Sequence, residues 1–403
     1  MSRTTTAQPE VVILGGGIGG LAAAAFLDRA GLTSTIYEQA EELTAVGAGL
    51  VVAPNAARLL RALGVLDGFA ERAVTLAVGW EFRRWRDGTV LSAEDLKTAC
   101  TRLYGEQTYT AHRADLLDAL RSAVPVDALR LGRRCVEVTL DSGRPTVHFA
   151  DGEVIEADVV IGADGVHSVV RGAVTDPGPP TDSGICAFRA LVPADRAPQF
   201  ARRNAQTLWL GPDHHLVHYP VSAGRMINLV AFVPAGDDAL ESWSATATVG
   251  EFVTEFDGWD PRLVDLIRAA DTPGRWALLD RAPLTRWSAG PVTLLGDAAH
   301  PMFPFFAQGA AQAIEDAAVL ARCLAEDADQ PARALRRYES LRIPRTARLQ
   351  QVSHARSLVN HLPDGPEQRA RDRSFADTDP LVSNGWIYGY DAQQVDTPVI
   401  GAR

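Results

Sequence analysis

Cysteine is scarce in this chain of 403 residues. There are four, Cys100, Cys135, Cys186 and Cys323, scattered without a C-x-x-C pair. That spacing excludes a disulfide framework and a paired-thiolate metal site, and it fits free thiols in a reducing cytoplasm. Long apolar runs are missing too. The longest, Val11 to Leu27, holds five glycines and ends at Asp28-Arg29, too short and too glycine-rich for a bilayer span. Arg3 ahead of that run has the outline of a signal peptide, but Glu10 beside it and the glycines inside it argue against one. We expect no targeting segment, a cytoplasmic location and no membrane partner. Positive charge is in deficit, with 39 Lys+Arg against 50 Asp+Glu and a formal net charge of −11. Such an excess repels phosphate backbones, so nucleic acid is not an expected partner. No internal repeat or low-complexity tract is present.

What remains is ordinary globular material, 46% hydrophobic and 22% charged. At about 100–200 residues per domain the length suggests two or three units. Val11-Val12-Ile13-Leu14 reads as a buried strand, Leu21 to Arg29 as a helix and Thr35 to Glu38 as a second strand. Thr146 to Phe149, Val159 to Ile161 and Val292 to Leu295 are further strand-like runs. From about Thr181 to Trp276 alternating patterns dominate (Thr207–Leu210, Leu216–Val221, Met226–Val233), which suggests an antiparallel sheet in a separate unit. Ala310 to Leu324 is a strong helix. A second helical region, Ala332 to about Leu362, is expected to break at Pro344. The seven arginines it carries between Arg333 and Arg356 read as a solvated face rather than a nucleic-acid surface. The last forty residues, with Trp386, Tyr388 and Tyr390, read as an irregular tail packed on the body.

Three motifs carry chemistry. Gly15-x-Gly17-x-x-Gly20 follows the first strand and opens the first helix, with Glu38 ending the next strand. The glycines permit a tight turn, close approach of backbone to a pyrophosphate, and close helix–strand packing. The helix N-terminus favours phosphate, and a carboxylate at 38 accepts both hydroxyls of an unphosphorylated ribose, as in NAD or the adenosine half of FAD. The second motif runs from Asp158 through Gly162-Ala163-Asp164-Gly165 to Arg171. The third is Gly296-Asp297-Ala298-Ala299-His300-Pro301, where Asp297 is placed to bind a ribityl hydroxyl. Gln308-Gly309 would lie beside a flavin ring, with the positive end of the helix from Ala310 at its N1–C2 edge. Taken singly, Asp164 or Asp297 is open to the alternative reading of a helix N-cap alone.

In this order and spacing the motifs resemble the group A flavoprotein aromatic hydroxylases, the para-hydroxybenzoate hydroxylase-like fold. Within it the chain is most similar to the salicylate hydroxylase and 3-hydroxybenzoate 6-hydroxylase branch. The resemblance runs from Val11 to about Leu362, and Trp386 to Asp391 is similar to that branch's tail. It implies an α/β fold: a Rossmann-like FAD-binding domain with an interleaved antiparallel β-sheet substrate domain and C-terminal helices. The FAD-binding domain would be discontinuous, over 1–72, 101–178 and 277–330. The substrate domain would take 73–100 and 179–276, and the C-terminal helical region and tail 331–403. Gly15, Gly17, Gly20 and Glu38 would hold the ADP half of FAD. Gly47-Ala48-Gly49 and its continuation to Val51 would line the isoalloxazine, and Arg113 would contact the ribityl–pyrophosphate. Asp164, Asp297, Gly309 and Ala310 would complete the cofactor contacts. Without the resemblance, Arg113 reads as a plain surface arginine.

The stretch His214-His215-Leu216-Val217-His218-Tyr219 bears on catalysis. As a strand it puts His215, Val217 and Tyr219 on one face and His214 and His218 on the other. That split disfavours a metal site, so no metal is expected, while a structural histidine stays open. The resemblance implies that His215 is the general base on a phenol, with Tyr219 orienting the hydroxyl, and that Arg189 matches an arginine used by related enzymes. Arg189 would hold a substrate carboxylate or shape the pocket; a surface ion pair is the alternative. Pro304, flanked by Phe303, Phe305 and Phe306, stands where the branch carries a polar contact. That departure makes the pocket more apolar and leaves a small benzoate or a bulkier aromatic open.

The activity implied is an FAD-dependent monooxygenase that uses NADH or NADPH and O₂ to hydroxylate a small phenolic or other electron-rich aromatic, through a flavin C4a-hydroperoxide. With no second G-x-G-x-x-G, the nicotinamide would bind transiently. A flavin oxidase, dehydrogenase or epoxidase on a non-aromatic substrate, or a flavin-binding sensor without turnover, stays open, as does monomer or homodimer.

Overall fold

Val11–Leu14 has no polar side chain, and the chain buries it on both faces. It pairs in parallel with Ser34–Tyr37 on one side and Val159–Gly162 on the other. These are the centre of a six-stranded sheet in the order Ser288–Ala289, Val292–Leu294, Val159–Gly162, Val11–Leu14, Ser34–Tyr37, Leu129–Arg130. Only the 288–294 hairpin is antiparallel. Because successive connections leave the first strand in opposite directions, a crevice opens beyond its carboxyl end. The computed structural model describes residues 9–43, 49–140, 143–176, 178, 180–236 and 246–394. Among them no helix is long and apolar enough to cross a membrane.

The first helix runs Ile18–Arg29 and so begins before Leu21, taking Gly19 and Gly20 into its first turn. Glycine is a poor helix former, but contact overrides propensity here. A Cβ on Gly20 would sit 1.9 Å from the carbonyl oxygen of Gly15, and one on Gly19 would sit 2.5 Å from Leu295. The helix is apolar nearly all round, and it is buried between the sheet and the long helix Gly309–Glu326.

A seven-stranded sheet stands apart from the first, in the order Gly274–Asp280, Thr181–Pro193, Met226–Pro234, His215–Val221, Ala205–Leu210, Val78–Arg84, Val90–Asp95. Its pairings are antiparallel except that of Ala205–Leu210 with Val78–Arg84. One face packs on helices Val249–Glu255 and Pro261–Arg268 through Phe188, Trp209, Phe252, Phe256 and Leu263. The other face looks toward the parallel sheet.

The C-terminal region departs from the sequence reading in three ways. Helix Pro331–Asn360 is continuous through Pro344. Proline removes a donor and crowds the preceding turn, at a cost of about 3 kcal/mol. Here Arg342 and Arg345, on either side of it, both bond Glu315 at 2.7 Å and hold the helix in register. The arginine run is therefore not one solvated face: Arg333, Arg336 and Arg348 are exposed, whereas Arg342 and Arg345 are buried. The tail is not irregular either. It forms helices Pro366–Asp377, Pro380–Ser383 and Gly385–Tyr388, the second capped by Asp379.

Those two arginines belong to a buried polar cluster. Arg342 Nε donates to Asp316 Oδ1 at 2.7 Å, and Asp316 Oδ2 accepts from Gly296 N at 2.9 Å and meets His300 Nε2 at 2.5 Å. Asn55 joins Glu315 to Gln308 at 2.7 and 2.9 Å. Arg345 also donates to the carbonyls of Trp386 and Ile387. Burial alone would raise the Asp316 carboxyl, but His300 and Arg342 outweigh it and hold it at about 2. Replacing Arg342 by methionine leaves Glu315 and Asp316 short of a counter-charge, and we expect a loss of about 3–5 kcal/mol. A urea-unfolding midpoint equal to that of the parent protein would show that the cluster does not hold the fold.

Candidate active site

A cavity of about 1070 Å³ runs from the glycine-rich turn, past the carboxyl ends of the parallel strands, to the inner face of the seven-stranded sheet. At its first end Gly15, at φ 110°, turns the chain; a Cβ there would lie 2.3 Å from the carbonyl oxygen of Ala163. Gly17 ends the turn, and a Cβ on it would meet no neighbour within 4 Å except Arg113 Nη2, at 3.9 Å. The open space thus lies between a helix N-terminus with no acidic residue in its first turn and a guanidinium. That donor set fits a diphosphate. Glu38 accepts from Gly16 N at 2.6 Å and from Ala40 N at 2.8 Å; each carboxylate oxygen keeps a second lone pair toward the cavity.

The middle of the cavity is lined by Arg113, Asp164, Asp297, Gly309 and Ala310. The two aspartates differ. Asp164 accepts from Ser168 Oγ at 2.6 Å and from the amides of Val169 and Val170 at 2.7 and 3.1 Å, so its carboxylate closes its own turn. Asp297 is exposed, and its carboxylate has no hydrogen-bond partner among the described residues; its backbone carbonyl accepts from Arg171. Asp297 therefore does not act as a helix cap. Gly309 starts the helix Gly309–Glu326 with nothing within 4 Å of its missing Cβ, which leaves the helix N-terminus open to a ring laid across it. Residues Gly47 and Ala48 lie outside the described residues. Gly49 and Val51 line the cavity from strand Gly49–Val52, which pairs with Tyr109–His112 in a separate three-stranded sheet, and Gly49 N donates to Asn228 Oδ1 of the seven-stranded sheet at 2.8 Å.

Sheet register assembles the far end. His215 pairs with Phe232 and Tyr219 with Asn228, while Arg189 and Val217 both pair with Val230. Residues directly opposite share a face, so His215, Tyr219 and Arg189 all point into the cavity, the arginine two strands or about 10 Å away. His215 is 1% exposed, stacked on Phe232 at 4.6 Å and edge-on to Phe305 at 5.2 Å. Burial, then His361, Arg356 and His214, push its imidazole well below 6.5. Burial pushes the Tyr219 phenol well up against the opposing pull of Arg189, so the hydroxyl stays a donor. Arg189 lies over Trp276 at 4.8 Å. The other two histidines go elsewhere: His214 meets Glu255 at 3.1 Å, and His218 packs edge-on to Phe200 at 5.4 Å on the opposite face. Phe303, Pro304, Phe305 and Phe306 line the same end.

Several residues that line the cavity or contact its lining escaped the sequence reading. Asn228 had a signal, a lone amide inside the apolar run Met226–Val233. Trp80 sits at φ 47° in a bulged strand that turns it into the cavity; propensity alone gives no hint of that. Tyr388 and Leu381 reach the site from the tail. His361, 146 residues from His215, places its Nε2 2.6 Å from His215 Nδ1, and nothing in its sequence neighbourhood announces this.

The chain matches the family described as an FAD binding domain over residues 8–353. It is 42% identical over 395 residues to the 3-amino-4-hydroxybenzoate 2-monooxygenase of Streptomyces platensis, covering 98% of this chain and 99% of that one. It is 36% identical over 389 residues to 3-hydroxybenzoate 6-hydroxylase 1 of Aquipseudomonas alcaligenes, covering 94% and 97%. A salicylate hydroxylase solved as a substrate complex superposes with a TM-score of 0.80 at 28% identity, covering 96% of each chain. With the donor set above, these likenesses settle the class: the chain belongs to the FAD-binding family of aromatic-ring hydroxylases.

Proposed function

We propose that this hydroxylase acts on a small phenolic acid of the 3-amino-4-hydroxybenzoate type and draws its electrons from NADH or NADPH. The observation that carries the reading is the row of His215, Tyr219 and Arg189 on one sheet face at the apolar end of the cavity. It is supported by the 42% identity to a monooxygenase named for that substrate. Bound FAD supplies the redox chemistry, taking reducing equivalents from the nicotinamide and using O₂ to deliver one oxygen atom to the ring. Gly15 and Gly20 would hold the turn closed while Gly17 left room for its phosphates beside Arg113, and Glu38 would accept from the adenosine ribose. Asp297 would accept from the ribityl chain, Asp164 would shape the turn beside it, Gly309 and Ala310 would offer helix N–H groups to the ring, and Gly49 and Val51 would complete its lining.

The chain's own residues prepare the substrate. His215, held neutral by burial, accepts the phenol proton and makes the ring a better carbon nucleophile. Tyr219, held protonated, donates to the resulting oxygen. Arg189 supplies a positive charge for the phenolate or the carboxylate. The Phe303–Phe306 wall excludes water from the reacting atoms.

A screen of hydroxylated aromatic acids, begun with 3-amino-4-hydroxybenzoate, should find stimulated NADH or NADPH oxidation and a product carrying one ¹⁸O from ¹⁸O₂; unlabelled product would overturn the proposal. His215→Gln should keep flavin and fold while hydroxylation falls by about a hundredfold or more, and wild-type turnover would remove the histidine from its role. Because only the neutral ring accepts a proton, kcat/KM should hold level as pH is lowered through 6.5, the ordinary histidine value; an acid limb at or above it contradicts the assignment. Asp297→Ala should purify nearly colourless, and a fully yellow protein would show that the ribityl contact lies elsewhere.

A further inference from the structure

His361 follows the last turn of helix Pro331–Asn360 and packs beside the cavity-lining rings of His215 and Phe305. Its ring lies 4.8 Å from that of His215 at 45°, with Nε2 and Nδ1 2.6 Å apart. Its carbonyl accepts from Asp213 N at 3.1 Å, so it is tied to the loop that leads into the His215 strand. His215 is buried whereas His361 is partly exposed. Together the two rings span from the cavity to the protein surface.

Only one proton joins two imidazoles at that contact. When His215 carries it on Nδ1, its Nε2 is a lone pair; that atom has no partner among the described residues, and His215 lines the cavity. When His361 carries it, His215 Nε2 becomes an N–H and cannot accept from a phenol. The partner nitrogen therefore decides whether His215 is a base at all. The charged and titratable groups around the pair are Arg356, His214 and Asp213. Arg356 and His214 oppose a positive charge left on His215, and its flanking rings, Phe232 and Phe305, offer no hydrogen-bond acceptor.

Resting on the reading of His215 as the base, we propose that His361 is its positioning and proton-relay residue. The substrate O–H bond breaks as His215 Nε2–H forms. The His215 Nδ1–H bond breaks as His361 Nε2–H forms, and His361 releases its own Nδ1 proton to water. One proton enters and one leaves, so His215 ends neutral. The same path runs backwards when the product hydroxyl regains a proton, which restores the starting tautomers.

The test uses the oxidised holoenzyme and 4-hydroxy-3-nitrobenzoate, a phenol coloured when ionised, at a pH where the free hydroxyl is neutral. Stopped-flow absorbance follows ionisation on binding. In His361→Gln the amide oxygen still accepts from Nδ1 but passes no proton. Flavin content and ligand affinity should be retained, while ionisation and turnover slow roughly ten- to a hundredfold, the scale on which partners of a functional histidine act. Imidazole in the buffer should restore part of the rate in His361→Gly. Ionisation at the wild-type rate in His361→Gln overturns the relay. So does a slow rate accompanied by lost flavin that imidazole does not restore, and His361→Asn is read the same way should the glutamine variant not fold. Wild-type protein that binds the probe without ionising it, or His215→Gln that ionises it normally, instead overturns the base assignment and the relay with it.

Discussion

Two adjacent carboxylates, Glu315 and Asp316, are fully buried inside the long helix beneath the site. Charges there are tolerated only where every one is met by a donor in the right place. The donors come from distant segments: Gly296 and His300 from the third motif, Asn55 from helix Pro54–Leu63, and Arg342 and Arg345 from helix Pro331–Asn360. Arg345 extends the clamp to the tail through two carbonyls. Moving any segment would strand a buried charge, so the turn bearing Asp297 and the helix start at Gly309 are held in one geometry. An apolar core of the same volume could be as stable; it would not be as directional.

The second constraint is the seam between the sheets. Gly49, on strand Gly49–Val52 of the three-stranded sheet, approaches Asn228 of the seven-stranded sheet so closely that a Cβ would lie 2.5 Å from its side chain. This contact sets the face of the seven-stranded sheet that bears His215, Tyr219 and Arg189 over the same cavity that Gly309 lines. The same burial tunes the chemistry: it keeps His215 neutral and Tyr219 protonated. One group is thereby an acceptor and the other a donor without any metal ligand being required of them.

The readable parts of the chain were those governed by local rules. Gly15, Gly17 and Gly20 followed by Glu38, the period-two pattern at His215–Tyr219 and the apolar stripe from Ala310 each express a backbone or packing demand in a few neighbouring residues. The long helix through Pro344, the buried pair Arg342 and Arg345, and the helical tail did not follow from such rules. Propensity treats proline as a break and arginine as solvated, and only packing against the buried carboxylates of the preceding helix reverses both.

By its own order of residues, the chain therefore determined the strand–glycine turn–helix entry, the three motifs and the shared face of His215 and Tyr219, because each depends on spacing along one segment. Tertiary structure alone decided that Asp297 stays open to the cavity, that Trp80 and Tyr388 line the same space, and that His361 meets His215. Those outcomes depend on contacts between segments far apart in the chain, 146 residues in the case of His215 and His361, and partnership over such separations leaves no periodic trace in the sequence.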